Sequence, residues 1–384
     1  MSSSPADQDW LDDTMPLPQA GLIWPWILAG SILFVLGVFL LLPNAQDRPR
    51  GVTLVSTTNT SSQTPDALPN QPVQGTLECL VVDSESSSFG LAAERLNQLL
   101  LQGTEGKLGL TVHVSGLYKG KKYDELAIID EVRQGRVQMA IVTSSPLTNF
   151  SSAFEVLDLP FLFQNEAQAD RVMDGPIGQK LLSSLTENDL VGLGFLEVGF
   201  RVFSTATPLP SLQDFKGRKV RVMQSSMSIK MARQLGCEAV PAPVDKIYQM
   251  GKEGYIDAAD RTYPTYWDFK LYEVHRYITE SRHSYTTKVI IINKPAYDAL
   301  SEAERKVLRE SVEVVKLEQR KHQRLEDQRV KQECRKLGIQ IFELSPAESQ
   351  QFLEACEPLY TEFNKLRGPE LVESIRKENL KTNP

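Results

Sequence analysis

The sequence predicts an α/β protein of two lobes with one long C-terminal helix, preceded by a single N-terminal transmembrane helix. Three observations carry this reading: a strand-loop-helix alternation that runs twice along the chain, a charge-laced helical stretch from Ser301 to Leu337, and an uncharged apolar run from Gly21 to Leu42. At 384 residues, with 41% hydrophobic and 24% charged residues, the chain is long enough to bury one large or two medium cores. That composition excludes a disordered or fibrous protein. The formal charge of -7 leaves no global positive field, so no nucleic-acid partner is expected and any bound anion must be caught locally.

Residues 1–20 form a short tail, and the run 21–42, "GLIWPWILAGSILFVLGVFLLL", is the membrane segment. At about 1.5 Å of rise per residue it spans a hydrocarbon core of roughly 30 Å. Trp24 and Trp26 sit near one end, as interfacial aromatics do, and Pro25 lies in the first turn, where a helix tolerates it. A cleaved signal peptide is the competing reading. An uncleaved anchor is favoured because the run exceeds a usual signal core, no basic segment precedes it, and "LLPNAQ" is a poor cleavage site. Arg48 and Arg50 follow the span and no basic residue precedes it, which by itself favours a cytoplasmic C-terminal side. Residues 43–76, rich in Ser, Thr, Asn, Gln and Pro, read as a flexible linker.

Order begins near Leu77 with "LECLVVDSESSSFGLAAERLNQLLL", an apolar strand, a serine-rich turn and a helix. The strand "LTVHVSG", the helix "DELAIIDEVRQG", the strand "VQMAIVTSS", a helix around Glu166 to Leu185 and the strand "LVGLGFLEVG" follow. A second unit begins after Phe203 with "KVRVM", a helix through Ser226 to Leu235, "EAVPAP", the helix "KIYQMGKEG" and the short strand "YIDAAD". "KVIIINKPAY" reads as another strand before the long helical region 301–337. Such alternation implies a mainly parallel sheet with ligands at the C-terminal ends of its strands.

Signatures of catalysis are weak. "GLYKGKK" has one residue too few between its glycines for a phosphate loop, and Lys122 stands where Ser or Thr should hold magnesium. There is no G-x-S-x-G. Four histidines and four cysteines are scattered without a nucleophile or metal-ligand spacing, so neither a metal nor a cofactor is expected.

Six motifs, in order, carry a resemblance: "LDLPFLF" (157–163), "GFRVF" (199–203), "DFKGRKVRVM" (214–223), "LGCEAVPAP" (235–243), "DKIYQMGKEGYIDAAD" (245–260) and "KLYEVHRYIT" (270–279). The chain from about residue 77 to 384 resembles the solute-binding proteins of tripartite ATP-independent periplasmic (TRAP) transporters, of the DctP type. The resemblance implies a two-lobed periplasmic solute-binding fold, with lobe I at about 77–198 plus 287–326 and lobe II at about 199–286 plus 327–384. It implies binding rather than chemistry: the lobes close on a small organic acid, and the loaded receptor delivers it to the small and large subunits of a permease driven by an ion gradient.

The family pattern K-x-R-V carries an arginine that pairs with the substrate carboxylate, and Arg221 in "KVRV" occupies that position. Guanidinium chemistry suits the role, being always charged and offering a planar fork to a carboxylate. Read from the residues alone, Arg221 is equally a strand-end arginine paired with a local acid such as Asp214. Arg201 in "GFRVF" matches a second arginine of the cleft, against a structural salt bridge near the hinge. Where relatives carry asparagine and then proline, this chain has Arg261 and Thr262, in "IDAADRTYP". An extra guanidinium there invites a second anionic group, hence a dicarboxylate or another acid with two charged or strongly polar ends; the alternative is neutralisation by Asp257 or Asp260. Ser86 in the turn "DSESSSF" offers a hydroxyl beside a helix N-terminus, or belongs to an ordinary helix cap. Gln224 and Ser225 are candidates for neutral hydrogen bonds, and Tyr263, Tyr266 and Trp267 for an apolar cover or simply core. Lys119 to Lys122 read as a solvated surface.

Since receptors of this kind work outside the cytoplasmic membrane, the resemblance puts residues 44–384 at the periplasmic face, tethered by the N-terminal helix. Tethering would raise the effective concentration of receptor at permease. Two rivals are a membrane-tethered sensory receptor that signals to a partner protein, distinguished by the absence of adjacent permease genes, and an enzyme on the same scaffold, distinguished by turnover of a bound acid.

Overall fold

The computed structural model describes residues 75–381; the expected tail, the 21–42 membrane segment and nearly all of the 43–76 linker lie outside them. Among the described residues no helix is long and apolar enough to cross a membrane.

The first unit contains β1 (Gly75–Val81), α1 (Ser88–Gly103), β2 (Leu108–His113), a small hairpin of β3 (Leu117–Tyr118) and β4 (Lys121–Lys122), α2 (Glu125–Arg133), β5 (Met139–Thr143), α3 (Glu166–Asp174) and α4 (Pro176–Ser183). β6 (Leu190–Thr205) then leads into β7 (Lys219–Val222), α5 (Ser226–Gln234), β8 (Glu238–Pro241), α6 (Ile247–Lys252), β9 (Ala258–Arg261) and α7 (Tyr263–Asp268). β10 (Tyr277–Asn293), α8 (Lys294–Ala299), α9 (Glu302–Lys336), β11 (Gln340–Glu343), α10 (Pro346–Arg367) and α11 (Glu370–Asn379) complete it. Helix starts follow local chemistry. Ser87, Asp124, Asn165, Ser225 and Asn293 each accept a backbone N–H of the first turn, and α9 and α10 begin with reciprocal capping boxes, Ser301 with Glu304 and Ser345 with Glu348.

One sheet runs through both lobes in the order β2-β1-β5-β10-β6-β9-β7-β8, with β11 pairing β10. Within lobe I, β2, β1 and β5 are parallel; within lobe II, β9, β7 and β8 are parallel. The two triplets are joined by β6 and β10, which are antiparallel to each other. The strand expected to end near Gly199 therefore continues to Thr205. "KVIIINKPAY" also differs from expectation: the strand starts at Tyr277 and stops at Asn293, whose side chain caps α8, so "KPAY" is helical. Each lobe has apolar clusters on both sheet faces, as doubly wound sheets require.

β6 and β10 bend where they pass between lobes. Their register shifts between Thr279 and Ser284 and again between Thr286 and Thr287, with Gly199 at φ +101° and Arg282 at φ +46°. The second shift leaves Val198 out of the ladder between Glu197, opposite Thr287, and Gly199, opposite Thr286. Here α9 supplies side-chain partners to the strand: Gln319 accepts from Glu197 N at 2.9 Å and donates to Glu197 O at 2.8 Å. Gln323 donates to Val198 O at 3.0 Å and accepts from Ser88 at 2.6 Å. This is why a helix so rich in polar residues packs in the interior. α9 also crosses lobes, with Leu308, Val312 and Val315 in a lobe I cluster and Val330 and Cys334 in a lobe II cluster. α10 makes the reverse crossing. Phe352, Cys356 and Leu359 pack in lobe II, while Tyr360 and Phe363, with Val372 and Ile375 of α11, complete the lobe I core. Pro358 lies inside α10 at that crossing.

Candidate functional site

Parallel strands that share a direction end on the same sheet edge, so β9, β7 and β8 bring their C-terminal ends together in lobe II, and β1 and β5 do so in lobe I. Arg221 is the third residue of β7, Arg261 the last of β9, and Arg201 lies on β6 beside them. All three are buried, Arg261 completely.

Their hydrogen bonds differ. Arg201 Nε pairs with Asp260 Oδ1, and its Nη2 donates to Asp260 O at 2.7 Å. Arg221 makes no ion pair with Asp214, whose carboxylate is taken by Ser211 in a capping box. Instead Arg221 Nε and Nη2 donate to Ala242 O at 2.8 and 2.5 Å, and Nη1 to Asp260 O at 3.3 Å. Arg261 Nε bonds Ser204 Oγ at 3.0 Å and Ala259 O at 3.3 Å, while both of its Nη atoms are buried without a hydrogen-bond partner among the described residues. Neither Asp257 nor Asp260 is in salt-bridge contact with it: Asp257 accepts from Lys219 N at 2.8 Å, and Asp260 is shared by Arg201 and His283.

Electrostatics follow from this crowding. Burial opposes the charge of Asp260, but Arg201 and His283 outweigh it and hold the carboxyl well below the usual range. Burial, then the charge of Arg201, pulls Arg221 down to about 9. Burial, then Arg221 and Arg201, disfavours the charged form of Arg261 more strongly still. Of the three guanidinium groups only Arg201 has a carboxylate in salt-bridge contact, which leaves Arg221 and Arg261 without an ion-pair partner in a water-poor site.

Of the other residues singled out in the sequence, Ser225 is buried and caps α5, donating to Ser228 Oγ at 2.9 Å. Gln224 is exposed, and Ser86 is exposed in its turn while Ser87 does the capping. Tyr263 and Tyr266 belong to the lobe II core and Trp267 packs against it, 4.9 Å from the Tyr272 ring. "GLYKGKK" folds as a hairpin whose turn residues Lys119 and Gly120 have φ of +48° and +76°, leaving the lysines solvated. The four cysteines are free and buried.

Two groups on the lobe I side were not singled out. Lys288, buried at the start of the apolar part of β10, donates to Asp83 Oδ2 at 2.7 Å and Glu125 Oε1 at 2.9 Å. Burial disfavours its charge, but the two carboxylates reverse the shift and raise its pKa. Asp158 is buried, accepts from Ser145 Oγ at 2.5 Å, and has a second oxygen without a partner among the described residues. Burial lifts its carboxyl to about 6, although the Ser145 hydrogen bond, the neighbouring Ser225 hydroxyl and the charge of Arg201 pull the other way. Each had a sequence signal, a charged residue inside an otherwise apolar run: "KVIIIN" and "LDLPFLF". No group of three or more His, Cys, Asp or Glu among the described residues is placed to hold a metal.

The family described as bacterial extracellular solute-binding protein, family 7, matches residues 81–366. A solute-binding protein of Chromohalobacter salexigens is 30% identical over 275 residues, 71% of this chain and 80% of that one. The 2,3-diketo-L-gulonate-binding periplasmic protein YiaO of Escherichia coli is 29% identical over 67% of this chain and 78% of its own length. Among solved structures, the sugar acid binding protein of Advenella mimigardefordensis in complex with galactonate superposes with a TM-score of 0.75 at 27% identity, covering 80% of this chain and 99% of that one. A TRAP periplasmic solute binding protein from Xanthobacter autotrophicus, with bound β-D-galacturonate, gives 0.74 at 27% identity over 80% of this chain and 100% of its own.

Proposed function

The chain belongs to family 7 of the bacterial extracellular solute-binding proteins, receptors and not enzymes, and from this premise we propose that it captures a small organic acid for a TRAP permease. The acid's carboxylate is held by Arg221, with Arg201 beside it. One observation carries the reading: of three buried arginines only Arg201 has a carboxylate in salt-bridge contact, Asp260, so Arg221 and Arg261 lack an anion to balance them. A charge-assisted bond contributes about 1.5–3 kcal/mol net, against roughly 8 kcal/mol for a micromolar ligand. Arg221 thus anchors and orients, and the closing lobes supply the remainder.

Arg261 extends the reading to the ligand's other end. Its two Nη atoms are donors in want of an acceptor, and a second anionic group meets that demand, which favours a dicarboxylate or an acid with a second strongly polar end. The relatives named for their ligands bind acids of this general kind. Residues 21–42 anchor the receptor in the membrane, the short N-terminus inside and the binding domain on the periplasmic face, where it meets the small and large permease subunits. The uncharged run itself supports the anchor.

Mass spectrometry of small molecules released from the denatured full-length chain, beside Arg221→Ala, tests the reading. A carboxylate present in the native protein and missing from the variant is the expected result. Retention of that carboxylate by Arg221→Ala would make Arg221 structural and the assignment wrong.

A further inference from the structure

We propose that Asp158 reads a hydroxyl group on the bound acid, so that the cleft selects hydroxy acids over the same acids lacking that group. The inference rests on the reading above, that an acid is held at Arg221.

Asp158 ends a short 3-10 turn, Ser152–Asp158, whose Phe154, Val156 and Leu157 pack in one apolar cluster of lobe I. One oxygen is fixed by Ser145, in the segment following β5, and the other is buried with no partner among the described residues. Its neighbours on the far side belong to lobe II: the hydroxyl of Ser225, at the N-terminus of α5, and the charge of Arg201 on β6. Asp158 therefore stands where the strand ends of the two lobes face each other. That edge-to-edge crevice is where open α/β sheets take ligands.

The chemistry of the free oxygen narrows what it can meet. An ionised carboxylate only accepts hydrogen bonds, so its partner must be an O–H or N–H. A ligand carboxylate is repelled from it and drawn to the three arginines, which fixes the polarity of the ligand in the cleft. The acid end lies toward Arg201 and Arg221, and a hydroxyl-bearing carbon lies toward Asp158. Buried and otherwise unpartnered, the oxygen penalises any ligand that leaves it dry. Ser225 alone does not meet the need, because its hydroxyl already lies 2.9 Å from Ser228 Oγ as donor and accepts from Ser228 N at 3.1 Å. The remaining charged neighbour, Glu155, brings no donor.

The test is titration calorimetry of the full-length chain with matched pairs that differ by a hydroxyl: malate and succinate, lactate and propionate, gluconate and 2-deoxygluconate. Wild type, Asp158→Asn, Asp158→Ala and Arg221→Ala are compared, with melting curves to confirm folding. In wild type the hydroxy member of a bound pair should be tighter by about 10- to 100-fold. Asp158→Asn, which keeps the shape, should shrink that ratio to about 3-fold or less while leaving the deoxy member's affinity nearly unchanged. A ratio preserved in Asp158→Asn, equal binding of both members by wild type, or an equal loss for both members in folded Asp158→Asn overturns the proposal. If no pair binds wild type, or if Arg221→Ala binds every pair as wild type does, the reading of Arg221 falls and this inference falls with it.

Discussion

The guanidinium groups of Arg201 and Arg221 converge on one backbone oxygen, that of Asp260, at 2.7 and 3.3 Å. Two like charges are held close by a carbonyl, and the Asp260 side chain answers only one of them directly. The geometry makes Asp260 the keystone of the arginine cluster, and several measurable consequences follow from that.

Replacing Asp260 by asparagine should destabilise the protein by about 3–5 kcal/mol, since it strips the partner from a buried charge. Urea denaturation checks the size. The pH dependence has a definite sign. The folded carboxyl lies below its unfolded value of about 3.9, so its stabilisation is complete above pH ~4 and is lost as pH falls through the folded pKa. Asp260→Asn should lack that acid limb.

Arg221→Lys keeps the charge but loses the fork. Affinity for the bound acid should fall by about 10- to 100-fold, read by calorimetry, because an ammonium cannot hold Ala242 O with two donors and still present a planar edge to a carboxylate. Recovery of full affinity in the lysine variant would show that only charge matters at this position.

Asp327 on α9 behaves oppositely to Asp260. Burial raises its carboxyl to about 7; Arg282 opposes the rise, and Glu280, Glu197 and Glu166 add to it. With a folded pKa above the unfolded value of about 3.9, it contributes stability fully below pH ~4 and loses it as pH rises toward 7. Asp327→Asn should therefore gain stability over wild type at pH ~7 and show no advantage at pH ~4, in melting temperatures taken across that range.

Gln319→Leu should cost about 2–4 kcal/mol, because it leaves both the N–H and the C=O of Glu197 buried and unpaired. Gln319→Glu tests the same bond more narrowly. It keeps the acceptor for Glu197 N but has no donor for Glu197 O, so its loss should fall between wild type and leucine.

Much of the fold was legible because it is local. Alternating strands and helices, serine caps and the 301–337 helix all leave marks within a few residues of each other. What was not legible is what depends on distant partners. "LVGLGFLEVG" stops looking like a strand at Gly199, yet β10 pairs with it well past that point, so the crossing strands emerged only in three dimensions. The arginines were visible as a motif and as a departure from it. Their shared dependence on Asp260, and the absence of a carboxylate for Arg261, are properties of packing. Asp158 and Lys288 were hidden for the same reason: a charge in an apolar run announces itself, but only its neighbours tell what it faces.

The return of α10 and α11 to the first lobe fixes the order in which the protein can be completed. Lobe I opens with Gly75 and closes only when Tyr360, Phe363, Val372 and Ile375 fill its core. A chain emerging N-terminus first thus holds an unfinished lobe I until almost its whole length is available. Lobe II likewise waits for Phe352 and Cys356. Neither core can be complete before those C-terminal segments are available, so late completion is written into the thread of the chain itself.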